Sequence, residues 1–424
     1  MPQIKPFRGI VYDQGKVNLR DVVAPPYDVI SPEQREKLYA LSPYNVVRLI
    51  LGREEDPYTS AAHHWGDWKD KGILKQEPEP AVYMLSQRFS TGTGTTTERR
   101  GFIAACRLEE LGKDSIFPHE KTHPGPKKDR LRLFEATDAI FSQILALYAD
   151  PKRRLDQVLD AEARREPDMD VEFDQVRNRL WAVRDPSTTL ALADFLNGQH
   201  ALVADGHHRY ETALVYSNEL RFKNPGHTGT EPYNFVPMYF TNMNDPGLVI
   251  LPTHRLIQRI PQFNAKTFLE ALAGSFELRE EESLEKLQHS LASQTGRAFG
   301  LILRGEPRFT LLLYKSRTTP GQADMPPLLA GLDVTILHAV IMRRILQLSE
   351  DDEQRKVFID YEKDAGQAAR AVSEGKAQAA FLLNPTRIEQ LRAIAEAGYT
   401  MPQKSTYFYP KLLSGLVMYS FKEG

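Results

Sequence analysis

The sequence predicts an α/β fold of mixed, α+β character, spread over more than one domain. Three observations lead there. Short β-branched runs alternate with helix-period patterns along most of the chain. The chain has 424 residues, too many for one compact core. Hydrophobic residues make up 41% and charged residues 26%, the balance of an ordinary globular protein rather than a disordered one.

Taken in order, the first marked element is Pro25-Pro26-Tyr27-Asp28, stiff because each proline fixes its own φ and restricts its predecessor. Such a segment holds side chains still, so Tyr27 and Asp28 are candidate substrate contacts; the alternative is a turn with Tyr27 in the core. Ser31-Pro32-Glu33 gives an N-cap with proline at the first helical position. Residues 46–51 read as a strand, and Asp56-Pro57 opens a helix running to about residue 74. Residues 81–89 and 99–108 form a hairpin around a Gly/Thr-rich tip at 91–97. A charged, proline-bearing loop spans 117–129, followed by a helix at 130–137 and strands at 141–148 and 180–183. A further helix runs to residue 196. Residues 200–204 read as a buried strand that Asp205-Gly206 breaks, and helix periodicity covers 207–222. Two strands, 235–242 and 248–252, look paired. A boundary near 258 separates a phosphate- or nucleotide-binding catalytic domain, 1–258, from a C-terminal α/β domain, 259–424.

Charge and cysteine content narrow the function classes. The net charge of −2 supplies no global basic field to capture nucleic acid or an anionic membrane. Cys106 is the only cysteine, which excludes an internal disulfide and a cysteine-based zinc cluster and fits a reducing compartment. The first residues lack the pattern of a signal peptide. No stretch reaches the ~20 apolar residues a membrane helix needs. The longest candidate, 336–348, is interrupted by His338, Arg343, Arg344 and Gln347 and reads as an amphipathic helix. A cytoplasmic enzyme acting on small molecules is the expectation.

The most informative stretch is HALVADGHHRYETAL. A buried strand ends, Gly206 permits a tight turn or close ligand approach, and a helix begins at once. The first N–H groups of a helix have no intrahelical partner, and the dipole adds partial positive charge there. Asp205 is suited to cap them. His207, His208 and Arg209 then crowd the first turn, where cations are unfavourable by roughly 0.3–1 kcal/mol each unless an anion sits among them. Arg209 can grip two phosphate oxygens, and either imidazole can donate to a phosphoryl oxygen or pass a proton. The plainer alternative is an N-capped surface helix with incidental histidines.

Residues 119–123, HEKTH, formally match the H-E-x-x-H zinc signature. That chemistry needs both histidines on one helix face, and Pro118, Pro124 and Gly125-Pro126 oppose a helix there. His119, Glu120 and Thr122 read better as a polar loop reaching into the site of the Asp-Gly turn. Glu120 is then a candidate general base or Mg²⁺ ligand, and His119 its partner. Lys128 and Arg130, with Lys127 and Arg132, either bind phosphate or form a solvated rim. Gly92-x-Gly94 lacks the context of a phosphate loop and reads as a hairpin tip. Cys106 reads as an inert core thiol.

The stretches IKPFRGI, VVAPPYDVI, HEKT, KKDRLRLFEAT, ADGHHRYETAL, DPGLVILPTHRLI, AAFLLNPT and KSTYFYPKLLSGLV together resemble a widespread bacterial family defined by domain of unknown function 1015. That name implies no activity. More remotely, the turn at Gly206–Arg209 is similar to that of the ParB, sulfiredoxin and free-serine-kinase superfamily, whose members seat nucleotide phosphates on it. The resemblance implies a ParB/sulfiredoxin-like core with a mixed sheet, and Gly206 and Arg209 as phosphate contacts. His207 stands where sulfiredoxins have their reactive cysteine, which disfavours sulfinic acid reduction. The acidic residue and first arginine of the ParB pattern are absent, which disfavours DNA partitioning.

These readings imply a phosphoryl-transfer enzyme binding ATP or ADP with Mg²⁺, or a phosphorylated metabolite, and acting on a small hydroxyl compound such as serine. Asp205, Gly206, Arg209, Thr122, Lys128 and Arg130 would hold phosphate; Glu120, His119, His207 and His208 would do the proton chemistry. The alternatives are a nucleotide-binding switch without turnover and a metal-dependent hydrolase.

Overall fold

The computed structural model describes all residues except 92–93, 123, 317–324, 350, 353–356 and 424. His123 and the Gly92 tip position therefore lie outside the described residues. The chain forms two compact units: Met1–Pro118, Thr122–Val249 and Phe408–Gly424 make the first, and His119–Lys121 with Ile250–Tyr407 make the second. A single cut near 258 does not capture this arrangement, because the chain returns to the first unit after residue 407 and the second unit takes three residues from 119–121.

The first unit is built on a nine-stranded mixed sheet. Its strand order is Ile116–Pro118, Ala201–Asp205, Ile144–Tyr148, Phe235–Asn242, Thr95–Arg107, Val82–Thr91, Val176–Val183 and Met169–Phe173, with Ile4–Lys5 also paired to Thr95–Arg107. The 82–107 hairpin forms as the sequence predicts, in a register running from Tyr83 opposite Ile103 to Thr91 opposite Thr95. Gly94 at φ +78° closes its tip. Phe235–Asn242 is buried along its whole length. It lies parallel to Ile144–Tyr148 and antiparallel to Thr95–Arg107, rather than beside residues 248–252 as its spacing suggests. A strand that is apolar on both faces belongs in the middle of a sheet, where neighbours from distant sequence claim both edges.

Three other sequence expectations are corrected. Residues 46–51 contain a short helix, Val47–Ile50, started when the Asn45 side chain accepts the Val47 N–H; β-branched composition yields here to a polar local bond. The supposed loop at 117–129 contains the end of strand Ile116–Pro118 and the start of helix Pro124–Thr137. The prolines that oppose a helix across 119–123 open this later one, since the first helical turn needs no donor from them. The strand at 141–148 is confined to Ile144–Tyr148. By contrast, the helix Pro32–Leu41 begins as predicted, with the Ser31 hydroxyl accepting the Gln34 N–H.

The second unit contains a six-stranded antiparallel sheet in the order Phe276–Glu281, Phe309–Tyr314, Ala298–Leu303, Ala379–Leu382, His254–Ile257 and Ile359–Glu362. One apolar cluster gathers Phe268, Phe276, Phe299, Ile336, Leu337, Ile341 and Phe381, and another Leu287, Leu291, Ile302, Ala368 and Val372. The segment Leu337–Ile345 is the expected amphipathic helix, wound wide: the Leu346 N–H reaches back to Ile341 O. Its Val340 and Ile341 are buried while Arg343 and Arg344 are exposed. Among the described residues, no helix is long and apolar enough to cross a membrane.

Candidate functional site

Strand Ala201–Asp205 lies between Ile116–Pro118, which is parallel to it, and Ile144–Tyr148, which is antiparallel. Its register slips between Val203 and Asp205. Such an irregularity re-aims the end of a strand. Here it delivers Asp205 into a left-handed Gly206, φ +89°, from which helix His207–Lys223 starts immediately.

Two expectations about this turn are corrected by the geometry. Asp205 does not cap the helix: Gly206 holds the N-cap position, and no side chain caps it. The Asp205 carboxylate instead takes an Arg209 Nη2–H at 3.1 Å on one oxygen and the Lys411 ammonium at 2.8 Å on the other. Nor is Arg209 a free guanidinium awaiting phosphate. It is 5% exposed, and its Nη1 donates to the Ser142 hydroxyl at 2.7 Å and to Gln143 O at 2.6 Å. The guanidinium folds back over the turn so closely that a Cβ on Gly206 would sit 2.8 Å from its Nη2. Gly206 thus serves both the left-handed backbone and the seat of Arg209. His207 is buried and His208 half-buried in the same first turn.

A second cation comes from the strand Thr95–Arg107. Arg99 is fully buried; its Nη2 donates to the Gln87 side chain and, at 2.6 Å, to Pro410 O. Its Nε and Nη1 are buried with no hydrogen-bond acceptor. Burial holds its pKa below the ordinary arginine value, against the opposing pull of Tyr239 and of the Asp205 charge. Arg209 and Lys411 therefore share the Asp205 carboxylate, and Arg99 lies within its electrostatic reach. Sequence reading missed both Arg99 and Lys411. Arg99 sits in a strand with no motif around it, and Lys411 lies two hundred positions downstream in an aromatic, basic stretch that reads equally as core.

The remaining candidates divide between the units. In the first, the Thr122 hydroxyl donates to Glu211 Oε2 at 2.7 Å and the Lys127 ammonium meets the same oxygen at 2.9 Å. Thr122 and Lys127 are thus brought onto the helix that begins at the turn, but Thr122 is engaged by a carboxylate rather than open to phosphate. Arg130 is also internal: its Nε donates to Asp129 at 2.7 Å, its Nη1 to Ile50 O at 3.0 Å, and its guanidinium lies 4.0 Å from the Tyr27 ring centroid. Lys128 is exposed, as a rim residue would be. Tyr27 forms a short 3₁₀ turn with Asp28, which is exposed. Burial pushes the Tyr27 phenol up to about 12, opposed by Arg130 and by Arg209, so Tyr27 stands within electrostatic reach of the turn. Cys106 is fully buried, with its thiol pushed up by desolvation, an inert core group.

In the second unit, His119 is buried with Nε2 2.8 Å from the Thr406 hydroxyl. The Glu120 carboxylate takes the backbone N–H groups of Lys404, Ser405 and Thr406 at 3.1–3.3 Å and the Thr406 hydroxyl at 3.2 Å. The geometry makes Glu120 an anchor for residues 404–406, which corrects its reading as a free general base.

Among the described residues no group of three histidine, cysteine or acidic side chains is placed to hold a metal ion. Mg²⁺ travelling with a nucleotide asks for less, one or two carboxylates plus phosphate oxygens. The orphaned Arg99 nitrogens fit an anionic group rather than a cation.

Comparison with curated proteins finds no match. Among solved structures, the chain is similar to a conserved hypothetical protein from Pyrococcus furiosus, at 14% identity and a TM-score of 0.36 over 70% of this chain and 90% of that one. It is similar to a mutant free serine kinase in complex with AMP, at 12% identity and a TM-score of 0.37 over 70% and 84%. SbnI from Staphylococcus aureus, truncated at its C-terminus, is similar at 12% identity and a TM-score of 0.34 over 74% and 86%. Likenesses this distant say nothing of what this chain binds. Residues 4–335 match a family model whose description is "protein of unknown function (DUF1015)", and the chain belongs to that family.

Proposed function

We propose that the chain is a phosphoryl-transfer enzyme that seats the phosphates of ATP, ADP or a phosphorylated metabolite at the Asp205–Arg209 turn and acts on a small hydroxyl compound. One observation carries this reading. The Asp205 carboxylate pairs with the buried Arg209 and the partly buried Lys411, the fully buried Arg99 lies within its electrostatic reach, and among the described residues two guanidinium nitrogens of Arg99 lack an acceptor. Buried excess positive charge is costly unless an anion completes it. The uncapped start of the helix adds a dipole of the same sign.

The roles differ from those the sequence suggests. Asp205 and Arg209 are positioning residues that lock the turn; Arg99, Lys411 and the first helical amides face the anion. His208, half-buried in the first turn, is the group placed to move a proton to or from the hydroxyl, and His207 supports it from the buried side. Phosphoryl transfer asks chiefly for this kind of fixed electrostatic cradle. Bound Mg²⁺ would supply charge neutralisation between phosphates. Serine is the first acceptor to test, on the resemblance of the turn.

The test is a thermal-shift series with ATP, ADP and phosphoserine, with and without Mg²⁺, on the wild type and on Lys411→Met, followed by turnover assays with serine. A ligand at ~100 times its Kd adds about 2.7 kcal/mol of apparent stability. The expected result is a shift in the wild type that the variant loses. Absence of any shift with all three ligands overturns the proposal.

A further inference from the structure

The first unit carries a cavity of about 370 Å³ toward the far end of helix His207–Lys223, lined by Arg107, Ser217, Asn218, Arg221, His227 and Asn234 among others. Its volume lies within the range of small-molecule sites. Ser217 stands ten positions beyond His207, and at a rise of about 1.5 Å per residue the two are roughly 15 Å apart along the helix. This cavity is therefore separate from the Asp-Gly turn.

Its polar groups are unusually unfinished. Arg221 is exposed, and among the described residues its side chain makes no hydrogen bond or ion pair. Arg107 gives Nη1 to Gly229 O at 3.0 Å, and among the described residues it forms no ion pair with a carboxylate. Ser217, 5% exposed, also lines the cavity.

The wall opposite the helix is stiff. Glu231 accepts the backbone N–H groups of Thr228 at 2.5 Å and Gly229 at 2.9 Å and the Asn234 amide at 2.9 Å, and pairs with His227 at 3.1 Å. These bonds engage the Glu231 carboxylate within its own loop. Lys5 adds positive charge from the strand beside Arg107, with its ammonium 3.8 Å from the Phe235 ring centroid.

We infer that this cavity is a second ligand site, which takes a small metabolite bearing a phosphate or carboxylate group between Arg107 and Arg221, with the Ser217 hydroxyl donating to it. Guanidinium groups match both oxyanions in bidentate fashion. The ligand would bind independently of the turn, so the site is suited to an effector or to a second substrate of the reaction proposed above, although its binding does not depend on that reaction.

Titration calorimetry with pyrophosphate and with citrate tests it, on the full chain and on three variants: Arg221→Glu, Ser217→Ala and Lys411→Met. The first is an exposed substitution that leaves the core alone. The expected result is that one of the two probes binds, that Arg221→Glu weakens it at least tenfold and Ser217→Ala several-fold, and that Lys411→Met leaves this binding unchanged. The preferred probe decides between phosphate and carboxylate. Binding that is indifferent to Arg221→Glu, or that Lys411→Met alone removes, overturns the inference, as does absence of binding by both probes. Since Lys411→Met reports on the turn and Arg221→Glu on the cavity, failure of one site is read separately from failure of the other.

Discussion

Gly206 shows how much a single position decides. Its φ of +89° is open to glycine at little cost, and a methyl group there would meet Arg209 at 2.8 Å. Gly206→Ala is expected to destabilise the first unit by about 1–3 kcal/mol, through backbone strain and displacement of Arg209. Urea denaturation followed by tryptophan fluorescence checks this, since Trp65, Trp68 and Trp181 all lie in that unit. Asp205→Asn is expected to cost more, about 3–5 kcal/mol, because it removes the carboxylate charge that both the buried Arg209 and Lys411 pair with. If added phosphate restores part of that loss, the cations accept an external anion as proposed. At this scale the sequence exposed the turn and its unusual basic cluster. It did not expose the direction of each side chain. Asp, Gly and Arg at this spacing are compatible with a capped helix holding phosphate and with a self-braced turn, and only the positions of Ser142, Gln143 and Lys411 decide between them.

Elements are held by bonds that cross between them, and two of these make measurable predictions. The Thr122–Glu211–Lys127 clasp ties the chain after residue 121 to helix His207–Lys223. Glu211→Gln is expected to cost about 1 kcal/mol or less, since the ion pair is partly exposed. Its clearer signature is faster amide exchange at Thr122, Gly125 and Lys127 with no change in the sheet. In the second unit, strand His254–Ile257 presents His254, 4% exposed, whose Nδ1 accepts the Leu383 N–H at 3.2 Å. Burial, assisted by the Arg255 charge and opposed by Asp364, lowers its pKa to about 4. An unfolded histidine titrates near 6.5, so between those values the unfolded state binds more protons. Stability from this group is complete above about pH 6.5 and is lost as pH falls toward 4, on the order of 3 kcal/mol in all. Denaturation midpoints measured from pH 7 to pH 4 should fall in the wild type and flatten in His254→Gln; parallel curves would refute the assignment. Among the elements, long periodic ones were legible, including the 82–107 hairpin and the helix after Gly206. Residues 46–51 and 117–129 were not, because an Asn45 side-chain bond and helix-opening prolines act locally against composition.

The whole molecule depends on its last residues. Tyr419–Ser420 pairs with Ala139–Ile140, Met418 bridges Ile10, Ser414 bridges Ala24, and Lys411 reaches Asp205, all within the first unit. Leu412, Leu413, Leu416, Val417, Tyr419 and Phe421 are buried there, each large apolar side chain contributing about 1.5–3 kcal/mol. Removal of residues 408–424 is therefore expected to abolish cooperative unfolding of the first unit, seen as loss of the tryptophan transition. Retention of that transition would show that the terminal segment is peripheral. The amino-acid sequence determined by itself the mixed α/β class, the strand–Gly206–helix turn and family membership, because these rest on local periodicity, backbone permissiveness and contiguous motifs. Only the tertiary structure decided that Arg209 braces the turn and that Glu120 anchors residues 404–406. It alone brought Lys411 to Asp205 and Arg99 within that carboxylate's electrostatic reach. A buried charge is satisfied by whatever the fold brings within about 3 Å, and no spacing along the chain encodes that.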